Sequence, residues 1–259
     1  MATYELQACQ IATMPIPGWE IFFGRHDVQF YPLSYYVWIV KGNGLTGLID
    51  TGLPLEDEDR QRLHEIVRLV DERCVFGNII PLDKLYEQQN LRPESVDFVM
   101  ITQAITYHSG GLREDLMPRA HVYISKSGML ELLLGEQYHP PQDLYFTETA
   151  WRYIRKLLVE HRLHLVDDPT EVVPGVVYET TGGHHPGSAG VRVKTMLGTV
   201  GILETAFLQN NVDKVHPVGV AENVAFCRQA IRRYKRECDI VLADHDPSIL
   251  RRFSGGVIR

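Results

Sequence analysis

The side chains best suited to chemistry fall in polar stretches that each follow a strand-like apolar run. The stretches are Asp50-Thr51-Gly52, Thr102 through Gly111, Gly182 through Ser188 and Asp244-His245-Asp246-Pro247, with Glu204 standing alone just after Leu203. Residues at such places are held by a rigid scaffold yet open to a ligand, which favours them as functional positions. Imidazole and carboxylate recur in them. Tyr107, His108, His184, His185, Glu204 and His245 carry groups fit for proton transfer or for holding a metal ion. Glu204 would be costly to bury alone, so it calls for a metal, a histidine or a hydrogen-bond donor as partner. Asp50-Thr51-Gly52 reads chiefly as a turn and cap. The remaining histidines (His26, His64, His121, His139, His161, His164 and His216) read as surface or packing residues.

Positioning these groups requires strands before the loops and helices to cover them. Tyr4–Ile11, Tyr35–Val40 and Thr46–Asp50 are rich in β-branched and aromatic residues, with Gly42-Asn43-Gly44 as a hairpin turn. An acidic start at Glu56–Asp59 suits a helix N-terminus, and Leu63, Ile66, Val67 and Val70 follow at helical spacing. A short helix over Leu82–Gln89 precedes strands at Val96–Thr102 and His121–Ser125. Residues 128–164 hold Leu-rich and aromatic helical stretches, broken at His139-Pro140-Pro141, and read as a helical insertion over a sheet edge. The aromatic residues Tyr138, Tyr145, Phe146, Trp151 and Tyr153 would fill core or wall a pocket. Strands return at Val176–Thr180, Val191–Thr195 and Thr199–Leu203, a helix spans Ala221–Glu237, and a last strand covers Asp239–Ala243. The pattern implies two sheets covered by helices, a layered α/β architecture in one domain over residues 1–259.

Composition narrows the function classes. The 259 residues include 26 basic and 33 acidic side chains, a net charge of −7, which argues against a nucleic-acid groove. No apolar run approaches the ~20 residues that span a bilayer. Met1–Gln10 carries Glu5 and lacks a basic flank before an apolar core, so no signal peptide is expected. Cys9, Cys74, Cys227 and Cys238 show no Cys-x-x-Cys spacing and read as isolated apolar thiols, consistent with a cytoplasmic protein. The run Arg232-Arg233-Tyr234-Lys235-Arg236 reads as a solvated helix face.

In order and spacing these stretches resemble the metallo-β-lactamase fold superfamily, and within it the lactonase-like and glyoxalase II-like hydrolases. Leu48-Ile49-Asp50-Thr51-Gly52 resembles the family's early strand and turn, and Leu91 through Thr102 the lead-in to its metal motif. Gly183-His184-His185-Pro186-Gly187-Ser188 resembles the loop with its next histidine. Glu204 falls where a bridging Asp is expected, and His245 where the last histidine is. The resemblance spans nearly the whole chain and implies an αββα sandwich with the site along one edge of both sheets.

The central motif departs from that pattern. The family carries Thr-His-x-His-x-Asp-His-x-Gly-Gly. Aligned on Thr102 and Gly110-Gly111, this chain puts Gln103 and Ile105 at the first two histidines and Tyr107 at the aspartate, retaining His108. Two-metal hydrolases need about three protein ligands per ion and a bridging group, so a dinuclear centre is not expected. His108, Glu204 and His245, with His184 nearby, could still hold one zinc or iron ion, though an ion-free site is equally consistent with the sequence. Gln103 and His185 are then candidates for binding substrate.

Three functions remain open. One is a lactonase- or esterase-like hydrolase of a small, partly apolar carbonyl compound using at most one ion, with Tyr107 as acid or oxyanion donor. Another is a metal-independent enzyme doing acid–base chemistry (cleavage, isomerisation or cyclisation) in the emptied pocket. The third is a ligand-binding protein without catalysis. A small-molecule substrate, no membrane or nucleic-acid partner and possibly a homodimer are expected.

Overall fold

The computed structural model describes residues 2–26, 28–134 and 145–259. His139, Pro140, Pro141 and Tyr138 lie outside them.

The chain opens with two long paired strands, β1 (Glu5–Pro17) and β2 (Phe30–Gly42), antiparallel from Glu5↔Lys41 to Pro17↔Phe30 with a register shift between Gln10 and Ala12. Both run past the expected spans, through Pro15 and Pro32, which sit directly opposite each other. A two-residue turn leads to β3 (Leu45–Ile49). Then β4 (Phe98–Met100), β5 (His121–Ser125) and β6 (Leu163–Val166) add in parallel. With the C-terminal β12 (Val257–Ile258) on the other edge, the first sheet runs β12-β1-β2-β3-β4-β5-β6. Its short central β4 is buried on both faces, as a parallel strand covered on each side must be.

The second sheet has the order β11-β10-β9-β8-β7, built from β7 (Thr170–Val173), β8 (Val176–Thr180), β9 (Ala189–Thr195), β10 (Gly198–Leu203) and β11 (Ile240–Ala243). Only β11 joins it in parallel.

The sheets face each other through one apolar layer, in which Trp38, Val40, Ile49, Phe98 and Met100 meet Tyr178, Val191, Val193, Ile202 and Leu242. Helices cover the outer faces. α2 (Asp57–Val67), α3 (Leu82–Gln89) and α6 (Glu148–Val159) pack on the first sheet through Leu63, Val67, Leu85, Ile154 and Leu157. α8 (Val224–Glu237) covers the second through Ala230, Ile231 and Tyr234. The expected αββα layering is therefore present.

Several boundaries differ from the sequence reading for local reasons. α8 begins at Val224 because the Asn223 side chain accepts a hydrogen bond from Phe226 N–H. Within residues 128–164 the described part holds α5 (Lys126–Leu134) and α6, but Leu163 and His164 already belong to β6. The helical segment thus ends earlier than expected, because Leu163 pairs with Val122 at the sheet edge. The short α1 (Gly18–Ile21), α4 (Thr106–Ser109), α7 (Gln209–Lys214) and α9 (Ile249–Arg252) are too brief for a periodic signal. In the basic run, Arg232, Lys235 and Arg236 are exposed as expected. Cys9, Cys74 and Cys227 are buried, and Cys238 is partly exposed at the end of α8. Among the described residues no helix is long and apolar enough to cross a membrane.

Candidate active site

The polar stretches converge at one end of the sandwich. Asp50 follows β3, Thr102 and Gln103 follow β4, α4 carries Tyr107 and His108, His184 and His185 follow β8, Glu204 follows β10, and Asp244 and His245 follow β11. Two bonds tie the sheets together there: Tyr178 Oη donates to the Ile101 carbonyl at 2.9 Å, and Ala189 N–H to the Thr102 carbonyl at 2.8 Å.

α4 is seated by close packing. An added Cβ at Gly110 would lie 2.3 Å from Pro54 N, and one at Gly111 would lie 2.3 Å from the Thr51 carbonyl. Only glycines allow that approach, which brings His108 against Asp50. Asp50 sits at φ 61°, a left-handed conformation that aspartate tolerates better than most residues. Its carboxylate accepts from Thr102 N–H (2.7 Å), Thr102 Oγ1 (2.6 Å) and His108 Nδ1 (2.7 Å). Asp50 is thus far more than a turn and cap. It fixes the His108 tautomer and leaves Nε2, buried and without a hydrogen bond, directed away from it.

His245 is held in a comparable way, with Nδ1 donating to the Ser34 carbonyl at 3.2 Å. The His108 and His245 rings stand 5.2 Å apart. Beside them is Asp244, 2% exposed, whose Oδ2 has no hydrogen-bond partner of ordinary geometry. His108, Asp244 and His245 each offer a ligand atom within 4.8 Å of the others. Two histidines and one carboxylate make a competent face for zinc or iron(II).

This trio differs from the ligand set drawn from the sequence. Asp244 rather than Glu204 falls in this trio of close ligand atoms, while Glu204 Oε1 accepts from His184 Nδ1 at 2.5 Å and its Oε2 is buried without a hydrogen bond. His184 is therefore positioned as a partner of Glu204. His185 is half-buried, with Nδ1 donating to Glu222 at 2.8 Å, and it lines the main cavity. Gln103 is 3% exposed and both its amide atoms lack partners. It lines a small void of about 20 Å³ with Tyr145 and His185, two residues that also line the main cavity. Ile105 fills its ligand position with hydrocarbon. His64, His121, His164 and His216 lie elsewhere, engaged with Phe76, each other and the Phe23 carbonyl.

The electrostatics are those of a cation-seeking pocket. Burial, the largest influence, disfavours a charged His108, yet the Asp50 carboxylate, with Asp244 and Glu204, outweighs it and lifts the imidazole to about 9. Burial and the nearby Asp50 charge push Asp244 up to about 7. Glu204 is also penalised by burial, but the His184 imidazole pulls it down to about 2. Burial and the charge on His108 drive His245 down to about 3. Buried unpartnered atoms on His108, Asp244 and Glu204, surrounded by excess negative charge, fit one bound cation.

Next to this cluster lies a cavity of about 310 Å³, walled mainly by Met14, Ile16, Leu33, Ile105, Phe207 and Val220. Tyr35, Tyr107, His184 and His245 face it, as does Glu20 of α1. Burial holds the Tyr107 phenol well above its usual range. Tyr145 lines the cavity, whereas Phe146 and Tyr153 are core. Sequence reasoning passed over Asp50, Asp244 and Glu20. Asp244 stood in a recognised motif, and Asp50 ended a buried strand, but Glu20 sits in a segment without periodicity.

No family model matches the chain. No curated protein matches it in sequence. In the solved structures, an N-acyl homoserine lactone hydrolase with N-hexanoyl-L-homoserine at its catalytic metal centre is 15% identical, covering 98% of this chain and 97% of its own, with a TM-score of 0.77. A probable metal-dependent hydrolase from Staphylococcus aureus is 13% identical over 94% and 89%, with a TM-score of 0.72. A hydrolase of the beta lactamase superfamily is 15% identical over 98% and 89%, with a TM-score of 0.68. The chain thus has, over nearly its whole length, the fold of the metallo-β-lactamase superfamily hydrolases.

Proposed function

We propose that the protein hydrolyses a small, partly apolar lactone or ester in the 310 Å³ cavity, with one metal ion held by His108, Asp244 and His245. The observation that carries this reading is that the ion-fitting trio and the histidine–carboxylate pair His184–Glu204 reach the same apolar cavity through His245 and His184. The lactone hydrolases of the same fold lend it support. A bound ion would supply Lewis acidity toward the carbonyl oxygen.

The protein's own groups account for the proton movements. Glu204 accepts the His184 Nδ1 proton in a hydrogen bond and thereby keeps His184 Nε2 free to act as base. His184 lines the cavity, so Nε2 takes a proton from water as its oxygen attacks the carbonyl carbon. The same proton returns to the alkoxide oxygen when the C–O bond breaks. Tyr107 stays neutral and donates a hydrogen bond to the carbonyl oxygen as negative charge gathers there. The apolar walls exclude bulk water and hold the substrate's hydrocarbon part.

The test has two arms. Elemental analysis after zinc- or iron-supplemented expression is expected to give about one equivalent per chain, lost in Asp244→Asn; a value near zero overturns the metal assignment. In a screen of lactones and esters, His184→Ala is expected to lower kcat by roughly a hundredfold or more with the fold retained. An unchanged rate removes His184 from the reaction.

A second reading is favoured by one observation. The His184–Glu204 pair stands outside the trio, so acid–base chemistry without an ion needs no rearrangement of it. Full activity of chelator-treated protein would select that reading.

A further inference from the structure

Glu20 is an unusual wall for an apolar cavity. Its carboxylate lines the chamber otherwise formed by Met14, Ile16, Leu33, Phe207 and Val220. Among the described residues it has neither a hydrogen bond nor an ion pair. The Tyr35 and Tyr107 phenols line the same chamber. Burial lifts the Glu20 carboxyl to about 7. A half-buried acid without a protein partner at a mainly apolar wall is open to a cationic group on a ligand.

The backbone holds Glu20 in place. Gly219 N–H and Val220 N–H both donate to the Glu20 carbonyl, at 2.7 and 3.2 Å. A Cβ at Gly219 would overlap the Trp19 carbonyl at 1.6 Å, so only glycine lets α1 and this loop meet. The carboxylate is therefore presented to the cavity by a fixed element.

Among the described residues no lysine or arginine lines the cavity. The nearby imidazoles of His184 and His245 direct their Nδ1 protons to Glu204 and Ser34. Glu20 is the one carboxylate among the described residues that line the chamber, and with Glu204 and Asp244 behind the imidazoles the chamber disfavours anions.

We infer that Glu20 is the specificity determinant of the cavity and that the substrate class is an apolar compound carrying a protonated amine, which pairs with the Glu20 carboxylate. This rests on the reading that the cavity is the substrate site. A charge-assisted hydrogen bond in such surroundings corresponds to roughly ten- to a hundredfold in affinity.

The experiment uses hexylamine, hexanol and hexanoate as probes in calorimetry at pH 8. Hexylamine is expected to bind at least tenfold more tightly than either of the others. Glu20→Gln and Glu20→Leu are expected to erase that preference while melting near the wild-type temperature, since each removes a half-buried carboxylate without a partner among the described residues. Val220→Trp, which fills the cavity, is expected to abolish amine binding. Equal binding of hexanol, no binding of hexylamine, a preference surviving in Glu20→Gln, or amine binding surviving in Val220→Trp would each overturn the inference. Amine binding through Glu20 in a protein that hydrolyses no lactone or ester would keep this inference and lose the hydrolase reading. Hydrolysis indifferent to Glu20→Gln, with no amine preference, would do the reverse.

Discussion

At the scale of single residues, the departures from the family's metal motif and the groups that replace them are complementary. Ile105 and Tyr107 bring hydrocarbon and a neutral phenol to the cavity wall, while His108 keeps the one imidazole that Asp50 can orient. Asp50 is a positioning residue, since it reaches the site only through Thr102 and His108. Asp50→Asn keeps the shape but loses a charged acceptor for His108 Nδ1. Metal affinity is expected to fall ten- to a hundredfold, read by competition with a chelating dye. An unchanged affinity would show that Thr102 alone suffices. His108, His184, Glu204 and His245 were legible in the sequence because histidines and a glutamate after strands stand out as residue types. Asp50 was not, because Asp-Thr-Gly after a strand looks like any turn until φ 61° and three converging donors are seen.

At the scale of elements, the site depends on short structures wedged between long ones. α4 is a single turn, and its place is set by Gly110 and Gly111 against the loop after β3. Gly110→Ala puts a methyl 2.3 Å from Pro54 N, where backbone must move to admit it. A loss of about 1–3 kcal/mol in urea unfolding is expected, together with weaker metal binding, because His108 moves with the turn. Several regular elements were legible: α3, β5 and β8 fall on their expected spans, while the longer β1 and β2 were found but run past theirs. Their hydrophobic period is repeated often enough to read. α1 and α7 were not, since four or six residues carry no period and are held by contacts distant in sequence. Glu20 was missed with α1 for that reason.

At the scale of the whole molecule, burying several ionisable groups at one end of the sandwich makes stability depend on pH. Glu204, near 2 in the fold against 4.5 ordinarily, contributes stability present above pH 4.5 and lost as pH falls toward 2. His245, lowered from 6.5 to about 3, loses stability as pH falls from 6.5 to 3, a loss that Asp244, raised from 3.8 to about 7 and so stabilising in acid, offsets between pH 6.5 and 3.8. His108, raised from 6.5 to about 9, contributes stability present below pH 6.5 and lost as pH rises through 9. Chelator-treated protein is therefore expected to lose stability from pH 4.5 to 2 and again from pH 7 to 9 in urea titrations. The alkaline loss is expected to disappear in His108→Asn, and its persistence there would assign it to another group. By itself, the sequence determined the layered α/β fold, since strand and helix periods and the order of the polar loops are local and repeated along the chain. It also fixed Gln103 and Ile105, by residue type alone, at two positions where the resembled family carries histidines. Only the tertiary structure decided how the remaining groups pair. Asp244 joins His108 and His245, Glu204 turns to His184, and Glu20 enters the cavity. Partner choice among buried charges depends on distances between residues up to some two hundred positions apart in the chain, such as His245 and Ser34, and no spacing along one segment encodes them.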